Sequence, residues 1–249
     1  MNPNTIASAL EHAVAVLEEA GVPSPRVDAE LLVGHVLGLS RGGVQAKVAT
    51  DAALSAEDSV TIAGLVERRA AREPLQHITG VAPFRSRELA VGPGVFVPRP
   101  ETEQVAQYAI DALAASATPQ PIAVDLGTGS GAIALAMATE VPHARVHAAE
   151  NAVDAFIWAK ENFAAHAPGA RLAVIDLASA FPELDGQVAV LVSNPPYVPD
   201  AAVPRDPEVR YWDPPSALYG GEDGLDVFRT LSQLGLRLAR PGGTLVIEH

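Results

Sequence analysis

The sequence predicts an α/β fold, a parallel sheet with helices on both faces, preceded by a small helical bundle. Residues 121–249 alternate between short apolar runs and segments of helical periodicity, a pattern typical of a parallel sheet covered by helices. Residues 1–72 show helical periodicity alone. We therefore predict a helical domain over 1–72, a joint over 73–99 and a second domain over 100–249. Hydrophobic residues make up 48% of the chain, enough to build a core, which excludes a wholly disordered protein.

Three helices are predicted in the N-terminal region. The first has apolar residues at helical spacing and stops at Gly21. The second begins with Ser24 as its N-cap and Pro25 in its first turn. The third begins at residues 55–58, which resemble a capping box. Short helices are stable only when they pack together, and the role of this bundle stays open between stabilisation and substrate recognition.

Composition narrows the possible functions. The chain has 30 acidic and 17 basic residues, a formal net charge of −13, whereas proteins that grip nucleic acid by its phosphates usually carry a basic patch. We interpret the densest basic cluster, Arg68, Arg69 and Arg72, as a solvated helix face.

The chain has no cysteine, which excludes disulfides, thiolate metal sites and cysteine nucleophiles. It also lacks a long apolar run and a secretory leader, so we expect a cytoplasmic protein without membrane association.

The second region contains five predicted strands and several helices. The strands are residues 121–127, 145–150, 171–176, 188–196 and 244–249, and the helices are a segment opened by Pro100 and residues 130–140, 152–166 and 225–239, the last closed by Pro241-Gly242-Gly243. The segment 84–91 could form a hairpin, and the proline-rich stretch 195–215 is predicted to be a long irregular connection. In parallel sheets of this kind, ligands bind beyond the carboxyl ends of the strands.

The first of these strands ends in a run that combines an acid with three glycines. The run contains Asp125, Gly127, Thr128, Gly129, Ser130 and Gly131. Glycines let the backbone approach a ligand closely, and the following helix offers free N–H groups. Glu150 ends the next strand, where an acid can accept hydrogen bonds from ribose hydroxyls. This combination is shared by dinucleotide dehydrogenases and by methyltransferases that use S-adenosylmethionine.

The third strand ends at Asp176 and Leu177. At this place Asp176 could accept a hydrogen bond from an adenine amino group, and Leu177 could flank the ring. An ordinary helix or loop cap is an equal alternative for Asp176.

The fourth strand ends in Asn194, Pro195, Pro196 and Tyr197. Neither proline has an N–H group, so the strand must stop there. The amide oxygen of Asn194 and the carbonyl of Pro195 are then free acceptors at the carboxyl edge of the sheet. Two neighbouring acceptors suit an –NH2 group with its two donors, and Tyr197 adds a flat surface for a planar amide or base.

These motifs together resemble the class I methyltransferases that modify a planar nitrogen. Within that class, the closest resemblance is to the release-factor glutamine methyltransferases, which methylate the side-chain amide nitrogen of the glutamine in the Gly-Gly-Gln motif of peptide chain release factors. Three further segments carry the narrower resemblance: EPLQHITG at 73–80, FVPRPETE at 96–103 and EVRYWDPPSALYGGEDG at 208–224. A DNA adenine methyltransferase shares the Asn194 motif but lacks these segments.

The resemblance implies a Rossmann-like sheet, S-adenosylmethionine as the cofactor and a release factor as the protein substrate, for an enzyme that we expect to be a monomer. It implies that the glycine loop and Glu150 contact the cofactor. It implies that Asn194 and Pro195 bind the substrate amide, and that Phe96 helps to wall the pocket. Family members continue beyond His249, so C-terminal strands of the domain are expected to be missing.

The expected mechanism is a direct in-line displacement with catalysis mainly by positioning. We also expect Asn194 to lie beside the cofactor. The Asn194 amide oxygen and the Pro195 carbonyl accept hydrogen bonds from the two N–H groups of the substrate amide. This holds its nitrogen towards the methyl group and favours the developing positive charge. No histidine or lysine lies next to the motif to act as a base, so the proton is expected to pass to water.

Other functions remain as alternatives. They are an N6-adenine methyltransferase acting on DNA or RNA, a nicotinamide dehydrogenase, and a binding module that keeps a cofactor pocket without turnover. A metal site is not expected. His143 and His147 lie four residues apart, but Pro142 and the strand pattern make a helix there improbable.

Overall fold

The computed structural model describes residues 5–249 and divides into two compact units. One contains the chain up to Gly80 together with Asp206–Trp212, and the other contains Val81–Arg205 together with Asp213–His249. The second domain predicted to begin at residue 100 thus shares its unit with residues 81–99. In the described part of the chain, no helix is both long and apolar enough to cross a membrane.

The regular elements follow one another in this order: α1 (Ile6–Glu19), α2 (Pro25–Leu37), α3 (Arg41–Ala49), α4 (Ala56–Ala70), α5 (Leu75–Thr79), β1 (Val81–Phe84), β2 (Arg87–Ala90), α6 (Thr102–Ala114), β3 (Ile122–Leu126), α7 (Ala132–Glu140), β4 (Arg145–Glu150), α8 (Val153–His166), β5 (Arg171–Val174), β6 (Val188–Ser193), α9 (Pro207–Trp212), α10 (Pro215–Leu218), α11 (Asp226–Leu238) and β7 (Ala239–Ile247). Two short 3-10 turns, Leu177–Ser179 and Pro182–Leu184, lie between β5 and β6.

The helical unit packs α1 to α5 around one apolar core that includes Leu10, Leu17 and Leu32. The predicted cap at Ser55 is confirmed, because its hydroxyl oxygen accepts a hydrogen bond from Asp58 N at 3.0 Å. Ser24 is the N-cap of α2 and Pro25 lies in its first turn, as predicted, but the Ser24 side chain makes no capping hydrogen bond. Helices α3 and α5 were not predicted, because their short apolar patterns give little periodicity.

The interpretation of the basic cluster as a solvated face is wrong for Arg69. This side chain is buried and donates from Nε to Asp28 Oδ2 at 2.7 Å, and its Nη2 lies 2.8 Å from Glu208 Oε1. Arg72 also donates from Nε to Glu208 Oε1, at 2.9 Å. The stretch 195–215 therefore contains a helix, α9, whose Glu208 is part of a buried ion-pair network of the helical unit.

The second unit contains the predicted α/β fold, which is confirmed. Strands β1 and β2 form an antiparallel hairpin. The main sheet has the order β5-β4-β3-β6-β7 with all neighbours parallel. Apolar side chains of β3 and β6 alternate between two cores: Ala123 and Val190 contribute to the core that includes α6, α7 and α8, and Val124 and Leu191 to the core that includes α11.

The order in which the chain adds strands to the sheet reverses between β3 and β6. Strands β4 and β5 lie on one side of β3, and β6 and β7 lie on the other. Ligands of parallel sheets bind at this point, beyond the carboxyl ends of the strands. The last helix and strand differ in detail from the prediction. Helix α11 ends at Leu238, and Pro241 to Gly243 lie inside β7, where its register with β6 is irregular.

We predict that Glu208→Gln destabilises the helical unit in a pH-dependent way. Burial alone would raise the pKa of Glu208, but hydrogen bonds from Arg72, Asp206 and Arg69 prevail and lower it to about 2. A lowered carboxyl pKa stabilises the fold above the unfolded value, and this stability is lost as pH falls from about 4.5 to about 2. At pH 7 the variant should lose about 3 kcal/mol in denaturant unfolding, since breaking a buried pair leaves a buried charge.

The matched control is Glu11→Gln, which removes the exposed Arg26–Glu11 pair of the same unit. That change should have little effect on the free energy of unfolding, because exposed ion pairs contribute little. The prediction would be contradicted by a Glu208→Gln effect as small as the control, or by one that does not shrink on acidification.

Candidate active site

The glycine loop leaves β3 and turns across the end of β4. Gly127 N and Thr128 N both donate to Ala149 O, at 2.9 and 3.0 Å. Gly127, Gly129 and Gly131 all have positive φ angles, of 69°, 58° and 90°, a conformation that residues with a Cβ rarely adopt. At Gly127 and Gly129 no atom lies within 4 Å of where a Cβ would be, so the loop backbone is open there to a ligand.

Asp125 is a buried acid at the base of this loop. Its Oδ2 accepts hydrogen bonds from Thr128 Oγ1 at 2.6 Å and from Ala134 N, in the first turn of α7, at 3.1 Å. Burial raises the pKa of Asp125 to about 7, against these two hydrogen bonds, and the charge of Glu150 adds to the rise. Its Oδ1 has no hydrogen-bond partner among the described residues. Asp125 therefore supports the loop and keeps one acceptor unused.

Glu150 holds the other side of the loop. Its Oε2 accepts a hydrogen bond from Gly129 N at 2.8 Å, and its Oε1 accepts from Asn151 N and Ala152 N, both at 2.9 Å. A carboxylate has about four acceptor positions, so a further donor such as a hydroxyl can be accommodated. The predicted ribose contact of Glu150 stays a prediction, and the structure adds a role that the sequence pattern did not suggest.

Asn162, on α8, is a buried residue that the sequence analysis missed. Its Nδ2 donates to Ser130 O in the loop and to Ala90 O in β2, both at 2.9 Å, and its Oδ1 accepts from Ala90 N at 2.7 Å. All of its amide atoms are thus engaged between the loop and the hairpin. Lys160 and Glu161 directly precede Asn162, so a further polar residue on this helix gave no signal of the role.

The end of β5 carries Asp176 and Leu177. Asp176 is exposed, and its Oδ1 accepts a hydrogen bond from Ala178 N at 2.9 Å. Asp176 therefore caps a 3-10 turn, the alternative left open by the sequence, and its adenine contact stays a prediction. Leu177 is partly buried and packs against the core that includes α11.

The end of β6 is fixed at the crevice between β3 and β6. Ser193 Oγ donates to Leu126 O at 2.6 Å, which joins the carboxyl ends of these strands. Asn194 follows and is half-buried, and its Nδ2 donates to Thr102 Oγ1 at 3.4 Å. Its Oδ1 is left as the acceptor of this side chain. Pro195 is buried and Tyr197 is 46% exposed, so the segment presents one amide oxygen and one aromatic ring.

Two glycines of the segment 208–224 allow the chain to pass close behind this motif. A Cβ at Gly220 would lie 2.6 Å from Pro196 O, and one at Gly224 would lie 2.4 Å from Tyr197 O. Any other residue would collide with backbone at both places. The chain at Gly220 and Gly224 therefore packs directly against the motif.

Phe96, the predicted pocket wall, is partly buried beneath a cation. The guanidinium of Arg99 lies 5.0 Å from the centre of the Phe96 ring, and its Nη2 donates to the buried carboxylate of Asp213 at 2.8 Å. Arg99 is thus held on both sides, and it fixes the position of Phe96.

No three histidine, aspartate or glutamate side chains among residues 5–249 form a group that could hold a metal ion. His147 lies in strand β4, as the strand pattern predicted, and its ring packs edge-on against Phe181 with centroids 5.5 Å apart. Burial lowers the pKa of His147, with nearby Arg171 and Arg145 adding to the effect. This histidine is a neutral core residue.

Comparison with known proteins covers both units. Residues 8–80 match the PrmC N-terminal domain, and residues 88–206 match the methyltransferase small domain. The release factor glutamine methyltransferase of Streptomyces coelicolor is 50% identical to this chain, over 99% of the chain and 85% of that protein. The enzyme of the same name from Bifidobacterium longum is 40% identical, over 98% of the chain and 87% of that protein. The chain belongs to the release factor glutamine methyltransferase family.

Another relative has a different substrate in its name. The 4-amino-L-phenylalanine/4-methylamino-L-phenylalanine methyltransferase of Streptomyces pristinaespiralis is 39% identical, over 98% of this chain and 83% of that protein. Membership of the family therefore fixes methyl transfer more firmly than it fixes the acceptor. The resemblance found in the three sequence segments is confirmed by these relatives.

We predict that Gly131→Ala disrupts the loop of this methyltransferase. The φ of 90° strains any residue with a Cβ, and that Cβ would also lie 2.8 Å from Phe163 Cε2. Strain and overpacking together should lower the free energy of unfolding by about 2–4 kcal/mol. Affinity for S-adenosylmethionine, measured by calorimetric titration, should fall at least tenfold.

Gly127→Ala is the matched control, because it adds the same methyl group at positive φ where no atom lies within 4 Å. Its loss of stability should be the smaller of the two, about 1–2 kcal/mol from the backbone strain alone. Equal losses for the two variants would show that the contact with Phe163 has no energetic weight.

Proposed function

We propose that this protein transfers a methyl group from S-adenosylmethionine to the side-chain amide nitrogen of the glutamine in the Gly-Gly-Gln motif of a peptide chain release factor. The observation that carries the proposal is the free amide oxygen of Asn194 beside the Pro195 carbonyl, at the carboxyl edge of a sheet whose glycine loop is open to a ligand. Family membership supports the choice of a release factor as substrate.

The residues at the crevice fit S-adenosylmethionine. The backbone of Gly127 and Gly129 is unobstructed by other atoms, Glu150 has acceptor capacity left for hydroxyl groups, and Asp125 has an unused oxygen. Thr128, Ser130 and Gly131 complete the loop, and we propose that Asp176 and Leu177 lie along the adenine side. When bound, this cofactor supplies an electrophilic methyl group on a sulfonium.

Asn194 and Pro195 hold the substrate nitrogen. An amide nitrogen is a weak nucleophile because its lone pair is delocalised into its carbonyl. Asn194 Oδ1 and the Pro195 carbonyl accept hydrogen bonds from the two N–H groups of the substrate amide. These hydrogen bonds orient the nitrogen and make it more electron-rich. The same two dipoles favour the positive charge that develops on nitrogen, and preorganised dipoles of this kind contribute strongly to catalysis.

The walls of the pocket select a planar group. Tyr197 and Phe96 offer aromatic surface, and Pro196 keeps the segment between Pro195 and Tyr197 rigid because its φ is fixed. The segment Ser193–Tyr197 contains no histidine or lysine, so we propose that the proton leaves the nitrogen for water after the transfer.

The defining experiment incubates the protein with tritiated S-adenosylmethionine and a release factor whose Gly-Gly-Gln glutamine is intact or replaced by alanine. We expect label on the intact protein alone, and mass spectrometry should place 14 Da on that glutamine. DNA, RNA and 4-amino-L-phenylalanine serve as competing acceptors in parallel reactions. Label on any of these and none on the release factor would overturn the proposal.

Asn194→Ala should lower the rate of methyl transfer by about 100-fold or more, because it removes one of the two acceptors that hold the nitrogen. The readout is single-turnover transfer with saturating release factor. Binding of S-adenosylmethionine, measured in the same variant, is the control and should change by less than tenfold. A rate within a few-fold of the unmodified protein would exclude the proposed role of Asn194.

A further inference from the structure

A carboxylate lies next to the side chains of Thr102 and Asn194. Glu248 follows β7, and its backbone N donates to Ser193 O at 3.1 Å, which places it beside the residue that precedes Asn194. Hydrogen bonding to the side chains of Thr102 and Asn194 lowers the pKa of its carboxyl group, against the larger effect of burial. Its Oε2 is buried and has no hydrogen-bond partner in the described chain. The mechanism described above gives Glu248 no task.

Thr102 joins the same cluster from the first turn of α6. It is buried, and its backbone N donates to Arg99 O at 3.1 Å. Its Oγ1 accepts a hydrogen bond from Asn194 Nδ2 at 3.4 Å, and the same hydroxyl contributes to lowering the pKa of Glu248. A hydroxyl can accept and donate at once, so Thr102 is able to link the Asn194 amide to the Glu248 carboxylate.

The chemistry of this set fixes which end of the Asn194 amide points to the pocket. A carboxylate only accepts hydrogen bonds, so it attracts the Nδ2 group and repels Oδ1. Rotating the amide by 180° would place Oδ1 against the carboxylate and leave an N–H donor facing the substrate nitrogen, which is itself a donor. Such an amide could not hold the substrate.

We propose that Glu248 and Thr102 are positioning residues that orient the Asn194 carboxamide with Oδ1 towards the substrate. The inference rests on the proposed function, since it explains how the acceptor oxygen is presented. Neither residue touches the reacting atoms: both act through Asn194.

This arrangement depends on the charge of Glu248. A protonated carboxyl could donate to Oδ1 and would then stabilise the rotated amide. Burial raises the pKa of Glu248, and the negative charge of Glu101, at the start of α6, raises it further, against the hydrogen bonds from Thr102 and Asn194. The turnover number should therefore fall as pH drops through the pKa of Glu248, and Glu101 should set where that fall occurs.

The first test compares Thr102→Val with Thr102→Ser. Valine has the same shape as threonine but no hydroxyl, and serine keeps the hydroxyl. We expect Thr102→Val to lower kcat at least tenfold, with the KM for the release factor and the affinity for S-adenosylmethionine within about threefold. Thr102→Ser should keep most of the activity. Equal kcat values for the two variants would overturn the inference.

The second test uses the pH dependence of kcat. Glu248→Gln should remove the acid limb, because glutamine does not titrate in this range, and should lower the plateau since its amide accepts either orientation of Asn194. Glu101→Gln is the matched control in the same cluster. It should leave the plateau unchanged and move the acid limb to lower pH, because removing a neighbouring negative charge lowers the pKa of Glu248. A limb that persists unchanged in Glu248→Gln would overturn the inference.

A third readout does not need turnover. The chain has only five asparagines, so selective ¹⁵N labelling gives few side-chain amide signals, and Asn194→Ala identifies the relevant pair. In the whole chain those signals should shift with pH and should lose that shift in Glu248→Gln. Amide signals of Asn194 that ignore pH would overturn the inference. A protein without label on any release factor would refute only the proposed function.

Discussion

The loop that follows β3 leaves backbone groups that its own tight turns cannot pair, and the site depends on how they are satisfied. Two buried side chains from other elements supply the partners: Glu150 at the end of β4 accepts from Gly129 N, and Asn162 on α8 donates to Ser130 O. Asp125, at the end of β3, holds the Thr128 hydroxyl and Ala134 N of α7. A buried polar group left unpaired costs about 1–3 kcal/mol. The loop conformation is therefore tied to the strand ends and to α8, and the glycines alone do not determine it.

The same principle governs the opposite side of the crevice. Pro195 and Pro196 end β6 by removing two donors, and the Ser193 hydroxyl fastens the strand end to Leu126. The glycines at 220 and 224 bring a second stretch of chain against the motif. Asn194 is thus confined by covalent stiffness, by close backbone contact and by side-chain hydrogen bonds. A rigid acceptor of this kind fits the proposed function, in which a weak nucleophile is activated mainly by positioning.

Sequence reasoning succeeded where the deciding information is local. The strands of the sheet are apolar runs that end in an acid, a glycine or a proline, and all three signals lie within a few residues. It failed where partners are distant in sequence. Arg69 was interpreted as exposed because Glu208, its ion-pair partner, lies far along the chain in a helix that the proline-rich stretch concealed. Asn162 and Thr102 were missed for the same reason, since neither stands in a motif of its own.

The two acceptors at Asn194 and Pro195 fit any planar –NH2 group, so they cannot by themselves distinguish an amide from an aromatic amine. Selection between an amide and an aromatic amine as the methyl acceptor therefore has to come from the side chains that line the pocket. Phe96 is held by Arg99, whose other side is paired with a carboxylate that is fully buried. We therefore expect the Phe96 ring to adapt less readily to a substrate of another thickness or length than the exposed Tyr197. If Phe96 lines the pocket as proposed, specificity is expected to follow that side, and relatives that act on other planar nitrogens are expected to differ there before they differ at Asn194.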